Sequence, residues 1–255
     1  MLFAFGLSDR VVAVGDFDAL PATVGNKPRI GGLLNPNVEK IIELKPDLVI
    51  TYGSATQDVL RDRMKELGIR IYPFTHGSVD HTLDYMLELG RTVGAEEKAS
   101  EIEQRIRKTF ADIRMRAPAN HPSVLLVHSR EPGELGSSYS IGARAFQNEL
   151  IEIAGGHNIF ADVDKEVMQP SIEAIFERNP DIIIETMPSS MTESDGLQRK
   201  KDWNALAKLK AVVHGRVYVV AEDYMLVPGP RLDLAAKKFA EIIQGQEAAG
   251  EGYHQ

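Results

Sequence analysis

Two hydrophobic periodicities alternate along the chain. Short runs of β-branched and other apolar residues predict strands, whereas apolar residues recurring every three or four positions between them are typical of amphipathic helices. The predicted strands are Val11–Val14, Leu48–Thr51, Ile69–Tyr72, Val124–His128, Ile182–Glu185 and Val217–Val220. The predicted helices are Asn37–Leu44, Thr56–Leu67, Val79–Val93, Ala143–Ala154, Ser171–Arg178 and Arg231–Ile243. Strands that alternate with helices favour an α/β fold with parallel sheets.

A long charged segment, Glu96–Arg116, separates these elements into two sets. Its apolar residues form a single helical stripe, at Ile102, Ile106, Phe110 and Ile113. At 1.5 Å per residue such a helix is roughly 30 Å long, enough to link two lobes. We therefore predict an N-terminal α/β lobe (residues 1–93), a linking helix (95–117) and a C-terminal α/β lobe (119–255). In the alternative, the helix packs on one lobe only.

An internal repeat supports two similar lobes. Residues 37–50 recur as residues 171–184, and six of the fourteen aligned positions are identical. Each copy begins at a residue type that favours the helix N-cap, Asn37 or Ser171. Each copy then ends its helix before a proline and continues into an apolar strand. The repeated unit therefore predicts one helix–strand module in each lobe.

Composition and motifs exclude several classes of function. The formal net charge is −8 and the chain has no cysteine, so we expect no nucleic-acid partner and exclude thiol chemistry and cysteine-bound metals. No P-loop, dinucleotide-binding fingerprint or serine-hydrolase motif occurs, and the histidines are scattered. We therefore predict no catalytic residues, no resident cofactor and no metal site. The apolar runs are too short to span a bilayer.

The loops after the predicted strands are rich in aromatic residues, glycine and proline. Phe17 follows the first strand, Tyr52 the second, and Tyr139 and Tyr224 follow strands of the C-terminal half. In open α/β sheets, ligands bind beyond the carboxyl ends of the strands. We therefore expect these loops to line a ligand cleft between the lobes.

Four segments resemble the helical-backbone, or class III, periplasmic binding proteins. They are residues 31–50, 146–160, 169–173 and 228–231. These proteins are solute receptors of ABC importers for cobalamin, iron–siderophores and haem. The resemblance implies two Rossmann-like lobes joined by one long rigid helix, with no enzymatic activity and an ABC permease dimer as partner. It also implies a periplasmic or extracellular, membrane-associated location.

The resemblance implies a ligand that is a metal chelate, and it indicates which residues contact it. A corrinoid and a ferric siderophore are equally expected, and a haem, oxyanion or metal receptor on the same fold remains an alternative. Haem receptors of this family place a tyrosine ligand just before the first repeat helix. This chain has Gly31–Leu34 there, without a tyrosine, so haem bound in that way is not expected. Arg29, Arg130, Arg144 and Arg231 are candidates for meeting an anionic siderophore. The ligand-binding positions are Phe17, Leu33, Tyr52, Tyr139, Met168 and Tyr224.

Glu39 and Glu173 occupy the same position in the two repeats. In the family that the chain resembles, a glutamate on each lobe pairs with arginines of the permease, and these two positions match. The alternative is that each glutamate only interacts favourably with the dipole of its own helix.

A two-lobed α/β enzyme, such as a glycosyltransferase, remains the alternative from a different functional class.

In the resembling family, a strand and most of a helix precede the segment matching residues 2–10. We therefore expect the natural gene to encode a signal sequence and this strand upstream of Met1.

Overall fold

A computed structural model of the chain describes residues 1–18, 20–21, 24, 26–32, 35–53, 58–75 and 77–245. The chain divides into two compact units. The first comprises Met1–His76 and Glu88–Ala99, and the second comprises Gly77–Leu87 and Ser100–Gln255. None of the helices in the described ranges is long and apolar enough to cross a membrane.

The first unit contains a small parallel sheet. Strands β1 (Leu48–Tyr52) and β2 (Arg70–Phe74) pair in parallel, with Val49 opposite Ile71 and Tyr52 opposite Phe74. Ile41, Val49, Leu60 and Met64 form the buried core beneath this sheet. The elements are α1 (Val38–Glu43), β1 (Leu48–Tyr52), α2 (Asp58–Glu66) and β2 (Arg70–Phe74).

Two long helices follow, α3 (Val79–Val93) and α4 (Glu96–Arg114), and each contributes residues to both units. The predicted α4 stripe is confirmed within the second unit, because Ile102, Ile106, Phe110 and Ile113 are all buried there. The predicted boundaries of the lobes and of the linking helix stay a prediction.

The second unit is built on a mixed sheet, whose strands are β3 (Ser123–Ser129), β4 (Tyr139–Ile141), β5 (His157–Asn158), β6 (Val167–Met168), β7 (Ile182–Thr186) and β8 (Val217–Val220). The strand order is β6–β4–β3–β7–β8, and β5 also pairs with β3. Strands β5 and β7 pair in parallel with β3, and β8 pairs in parallel with β7. Its later helices are α5 (Phe146–Ile153), α6 (Ile172–Arg178), α7 (Glu193–Asp202), α8 (Lys210–Val213) and α9 (Leu232–Gln244).

The repeat is confirmed in local structure. The Asn37 side chain accepts a hydrogen bond from the Lys40 N–H at 2.9 Å, and the Ser171 hydroxyl accepts one from the Ala174 N–H at 3.2 Å. Each side chain thereby satisfies one of the free N–H groups of a first helical turn. Both helices also end in a left-handed residue, Lys45 or Asn179, directly before the proline. The two sequence copies therefore fold into the same helix–turn–strand unit.

Two expectations about strands are wrong in part. Val11–Val14 is not a regular strand, because its pairing with the segment around Arg29 is a single bridge at Val14. The ladder ends there because the partner segment contains Pro28, which has no N–H to donate. In the second unit β4 runs antiparallel to β3 and to β6. The connection over residues 130–138 is too short for a helical crossover, so the chain turns back as a hairpin.

Candidate functional site

Phe17 is the most exposed large apolar residue in the described part of the chain. Its side chain is 90% exposed, although burying a phenylalanine side chain is worth about 1.5–3 kcal/mol. It lies in the turn of residues 15–18, which follows Val14 in the first unit. Single exposed apolar side chains are common on protein surfaces, and Phe17 is a candidate ligand contact because its ring stands on a turn whose backbone is fixed.

Arg29 and two aspartates fix the backbone of this loop. The Arg29 Nη1 group donates to the carbonyl oxygens of Gly15, Asp16 and Asp18, at 2.5, 3.2 and 2.9 Å. The Asp18 carboxylate accepts from the Gly15 N–H at 2.7 Å, and the Asp16 carboxylate accepts from the Gly31 N–H at 3.1 Å. The carbonyls of Gly15, Asp16 and Asp18 and both carboxylates therefore have internal partners, while the Phe17 ring stays in solvent.

The lack of side chains at Gly31 and Gly32 lets this segment lie close to residues 35–37 and to the Phe17 ring. Gly31 has φ +90°, and a Cβ there would lie 2.5 Å from the Asn35 carbonyl oxygen. A Cβ at Gly32 would lie 3.2 Å from the Phe17 ring. A larger residue at Gly31 would be strained by its positive φ and would clash with residues 35–37, whereas one at Gly32 would crowd the Asn35 side chain and the Phe17 ring. Leu33, the next predicted ligand residue, lies outside the described residues.

Tyr52 is the last residue of β1 and is half-buried. The Gly53 N–H donates to the Phe74 carbonyl oxygen at 2.6 Å, so the chain leaving β1 stays attached to the end of β2. Tyr52 therefore lies at the carboxyl end of the parallel sheet, where open α/β sheets bind their ligands.

Tyr139 and Met168 lie on neighbouring strands of the second unit but on opposite faces of the sheet. Met168 pairs with Ser140, and Val127 pairs with Ser140 on the other side. Side chains alternate along a strand, so Met168 shares a face with Ser140 and packs against the buried core. Tyr139 takes the other face and is 45% exposed. The structure thus leaves Tyr139 open to solvent and does not place Met168 beside it.

Tyr224 lies in a 3-10 turn after β8, and both of its neighbours in the sequence accept hydrogen bonds. Arg231 donates two hydrogen bonds to the Asp223 carboxylate, at 2.9 and 2.8 Å, and its guanidinium lies 5.9 Å from the centre of the Tyr224 ring. The Met225 carbonyl accepts from the buried side chain of Gln147 at 3.3 Å. Like Phe17, Tyr224 is therefore carried by a turn whose neighbouring groups bond internally.

Glu39 and Glu173 are both exposed in the first turns of α1 and α6. Hydrogen bonds from its own backbone N–H and from the Ser171 hydroxyl hold the pKa of Glu173 below its usual range. Both carboxylates have the placement that a docking role requires, which is solvent access at matching positions of a repeat.

The second unit contains a buried charge network that was not predicted from the sequence. Glu185 of β7 is fully buried. Its carboxylate pairs with Arg130 at 3.0 Å and Arg199 at 2.7 Å, and accepts from the Trp203 indole N–H at 2.8 Å. Asp202 completes the set through Arg130 at 2.9 Å and the Gly133 N–H at 3.2 Å. A glutamate within the apolar run Ile182–Thr186 was the signal, since buried glutamates are normally paired.

Two opposite effects act on the pKa of Asp202. Burial alone would raise it, but hydrogen bonds from Gln198 and Arg130 outweigh burial and hold it below the usual range of an aspartate. The network therefore holds two carboxylates and two guanidiniums, whose charges balance.

Each arginine that we considered as a siderophore contact has a partner within its own unit. Arg29 binds loop carbonyls, Arg130 is buried against Glu185, and Arg231 pairs with Asp223. Arg144 pairs with Asp164 at 3.3 Å, and both of those side chains are mostly exposed. Among the described residues, no cluster of three or more His, Asp or Glu side chains is arranged to hold a metal ion.

Comparisons with known proteins agree on one family. A family model described as periplasmic binding protein matches residues 1–224. The uncharacterized ABC transporter substrate-binding lipoprotein YvrC of Bacillus subtilis is 31% identical over 249 residues, which cover 94% of this chain and 75% of that protein. The vitamin B12-binding protein of Vibrio cholerae is 26% identical over 230 residues, covering 90% of this chain and 79% of that protein.

Solved structures share the fold over nearly the whole length. A possible iron-binding periplasmic solute-binding protein from Staphylococcus epidermidis has a TM-score of 0.77 and 26% identity, with 95% of this chain and 93% of that chain covered. The vitamin B12-binding protein BtuF of Vibrio cholerae has a TM-score of 0.77 and 24% identity, with 96% and 93% covered. The two-lobed α/β architecture predicted from the sequence is therefore confirmed.

Proposed function

Because the chain belongs to the periplasmic binding protein family, we propose that it is the extracytoplasmic solute receptor of an ABC importer and that its ligand is a metal chelate. The receptor role is carried by the family match over residues 1–224, and the choice of a flat chelate as ligand is carried by Phe17, an exposed ring on a turn that Arg29 fixes. A rigid apolar anchor binds a flat ligand without the entropic cost of first ordering its loop. The receptor role and the importer also follow the description of the similar Bacillus subtilis lipoprotein.

Among chelates, we favour a corrinoid over a catecholate siderophore. A ferric catecholate carries several negative charges and needs unpaired cationic groups, whereas Arg29, Arg130 and Arg231 are engaged within their own units. A corrinoid presents broad apolar faces, which an exposed aromatic side chain such as Phe17 suits. Similarity to a vitamin B12-binding protein supports the same choice.

Direct titration tests the ligand class. We expect cyanocobalamin to bind the isolated protein with a Kd well below 1 mM, and more tightly than haemin or a ferric catecholate, in calorimetry at fixed salt. If a ferric catecholate binds more tightly than cyanocobalamin, the choice of corrinoid is wrong. If none of the three chelates binds below about 1 mM, near 4 kcal/mol of binding free energy, the chelate proposal itself is wrong.

The Phe17→Ala variant tests whether this ring contacts the ligand. Losing the contact of one phenylalanine side chain, worth about 1.5–3 kcal/mol, should weaken cyanocobalamin binding about 10- to 100-fold. Because the ring is 90% exposed, the melting temperature of the free protein should not change. The matched control is Phe176→Ala, a second exposed phenylalanine, on α6, which should bind as the wild type does. Equal affinities of the Phe17→Ala variant and the wild type would remove Phe17 from the site.

A further inference from the structure

Arg29 is bonded to the backbone of the turn that carries Phe17. One terminal nitrogen of its guanidinium faces three carbonyl oxygens, of Gly15, Asp16 and Asp18, all within 3.2 Å. These carbonyls flank Phe17 on both sides along the chain. Three hydrogen bonds from one charged donor group fix the direction of the peptide planes there, since bonds from a charged donor are stronger than neutral ones.

The rest of the turn depends on the same geometry. Asp18 accepts from Gly15 across the turn, and Asp16 accepts from Gly31 on the following segment. The Phe17 side chain has no share in this bonding and remains 90% exposed. Arg29 and the two aspartates therefore order the turn, and the Phe17 ring extends from it into solvent.

We propose that Arg29 is a positioning residue for ligand binding, which holds the turn of residues 15–18 so that Phe17 meets the ligand in one fixed orientation. The binding experiment for this proposal rests on the proposed function, whereas the effect of Arg29 on the order of the turn is independent of any ligand. It differs from the expectation that Arg29 meets an anionic chelate directly. A direct ion pair would matter most for an anionic ligand, whereas positioning matters equally for a neutral one.

The first experiment needs no ligand. We would compare the wild type with Arg29→Met, which keeps the length of the side chain and removes every donor. Backbone NMR order parameters of residues 15–18 should fall from about 0.85 to below about 0.6 in the variant. The matched control is Arg63→Met, in α2 of the same unit, where Arg63 pairs with Glu66 of its own helix at 2.8 Å. Unchanged order of the turn in Arg29→Met would overturn the proposal.

The second experiment measures affinity for two probes, cyanocobalamin and an anionic ferric catecholate. Arg29→Met should weaken the affinity for both probes by the same factor, about tenfold, because binding must then order a turn that is already ordered in the wild type. The control Arg63→Met should bind both as the wild type does. A loss confined to the anionic probe, with a weaker dependence of Kd on salt, would assign Arg29 to the ligand and overturn positioning.

The two experiments also separate this proposal from the proposed function. If the wild type binds no chelate, the proposed function is wrong, and the order parameters alone decide whether Arg29 positions the turn. If the wild type binds and Arg29→Met binds equally well, the receptor function stands and the positioning role is wrong. A melting temperature of Arg29→Met equal to that of the wild type would show that any loss of affinity is local.

Discussion

Reversing both repeat glutamates, Glu39→Lys together with Glu173→Lys, is expected to abolish ligand uptake while leaving the affinity of the isolated protein unchanged. We propose that these carboxylates dock the receptor on its permease. Both are exposed in the first turn of a capped helix, at equivalent positions of the repeat. Charge pairs across an interface set orientation and on-rate, so two reversed charges would repel the partner that the native pair attracts.

The fold should survive these changes. A carboxylate near a helix N-terminus contributes only about 0.3–1 kcal/mol through the helix dipole. The Asn37 and Ser171 caps, which supply the N-terminal hydrogen bonds, are untouched. Circular dichroism and calorimetric Kd of the double variant should therefore match those of the wild type.

A second pair of glutamates supplies the control. Glu43 and Glu177 are also identical in the repeat, are exposed, and lie one helical turn further along. Glu43→Lys with Glu177→Lys makes the same change in net charge. Growth of a strain that depends on the imported chelate would be measured with each variant. Uptake unchanged in Glu39→Lys/Glu173→Lys would leave these glutamates only their effect on the helix dipole, and equal loss in both pairs would indicate non-specific attraction.

Glu185→Leu should destabilise the second unit by about 3–5 kcal/mol, the usual effect of breaking a buried ion pair. The substitution leaves the Arg199 guanidinium and the Trp203 indole N–H without their carboxylate partner in a buried position. Arg130 keeps Asp202. The cost thus comes from the uncompensated charge of Arg199, and one leucine of similar volume cannot offset it.

A double variant identifies this cause. Glu185→Leu combined with Arg199→Leu removes one charge of each sign and leaves Arg130 paired with Asp202. It should lose less stability than Glu185→Leu alone, since replacing both members of a buried pair by apolar residues is often near neutral. Glu193→Ala, an exposed change in α7, should stay within about 1 kcal/mol of the wild type.

Urea unfolding followed by fluorescence measures these differences. Trp203 is the one tryptophan of the chain, lies within the network and belongs to the second unit. Its signal therefore reports the unfolding of that unit. A loss below about 1 kcal/mol in Glu185→Leu, or a double variant less stable than the single one, would contradict the account of an uncompensated buried arginine.

Local patterns in the sequence were sufficient to predict most of the helices. The limits of α3 agree with the predicted Val79–Val93, and α6 and β7 reproduce the second repeat with its Ser171 cap. These features depend on the period of apolar residues, on capping side chains and on proline, which act within a few residues of one another. The repeat added the expectation of two similar lobes, because one module occurring twice implies two copies of one architecture.

The candidate site was predictable only in part. Phe17, Tyr52, Tyr139 and Tyr224 could be proposed because they follow predicted strands, and carboxyl ends of strands bind ligands. Their orientation was not predictable. Met168 lies on the opposite sheet face from Tyr139, because pairing with Ser140 sets the register of β6. Register depends on which strand lies next to which, and one sequence does not state that.

The sequence by itself determined the α/β class, the repeat, the stripe of α4 and the absence of cysteine chemistry, since each depends on residue type and spacing. Tertiary structure alone decided the roles of the charged residues. Arg29 turns to its own loop, and Arg130 is buried against Glu185. A charged side chain is long and flexible, so its partner is whichever opposite charge or carbonyl the fold brings within about 3 Å. Distances between residues far apart in the chain are properties of packing.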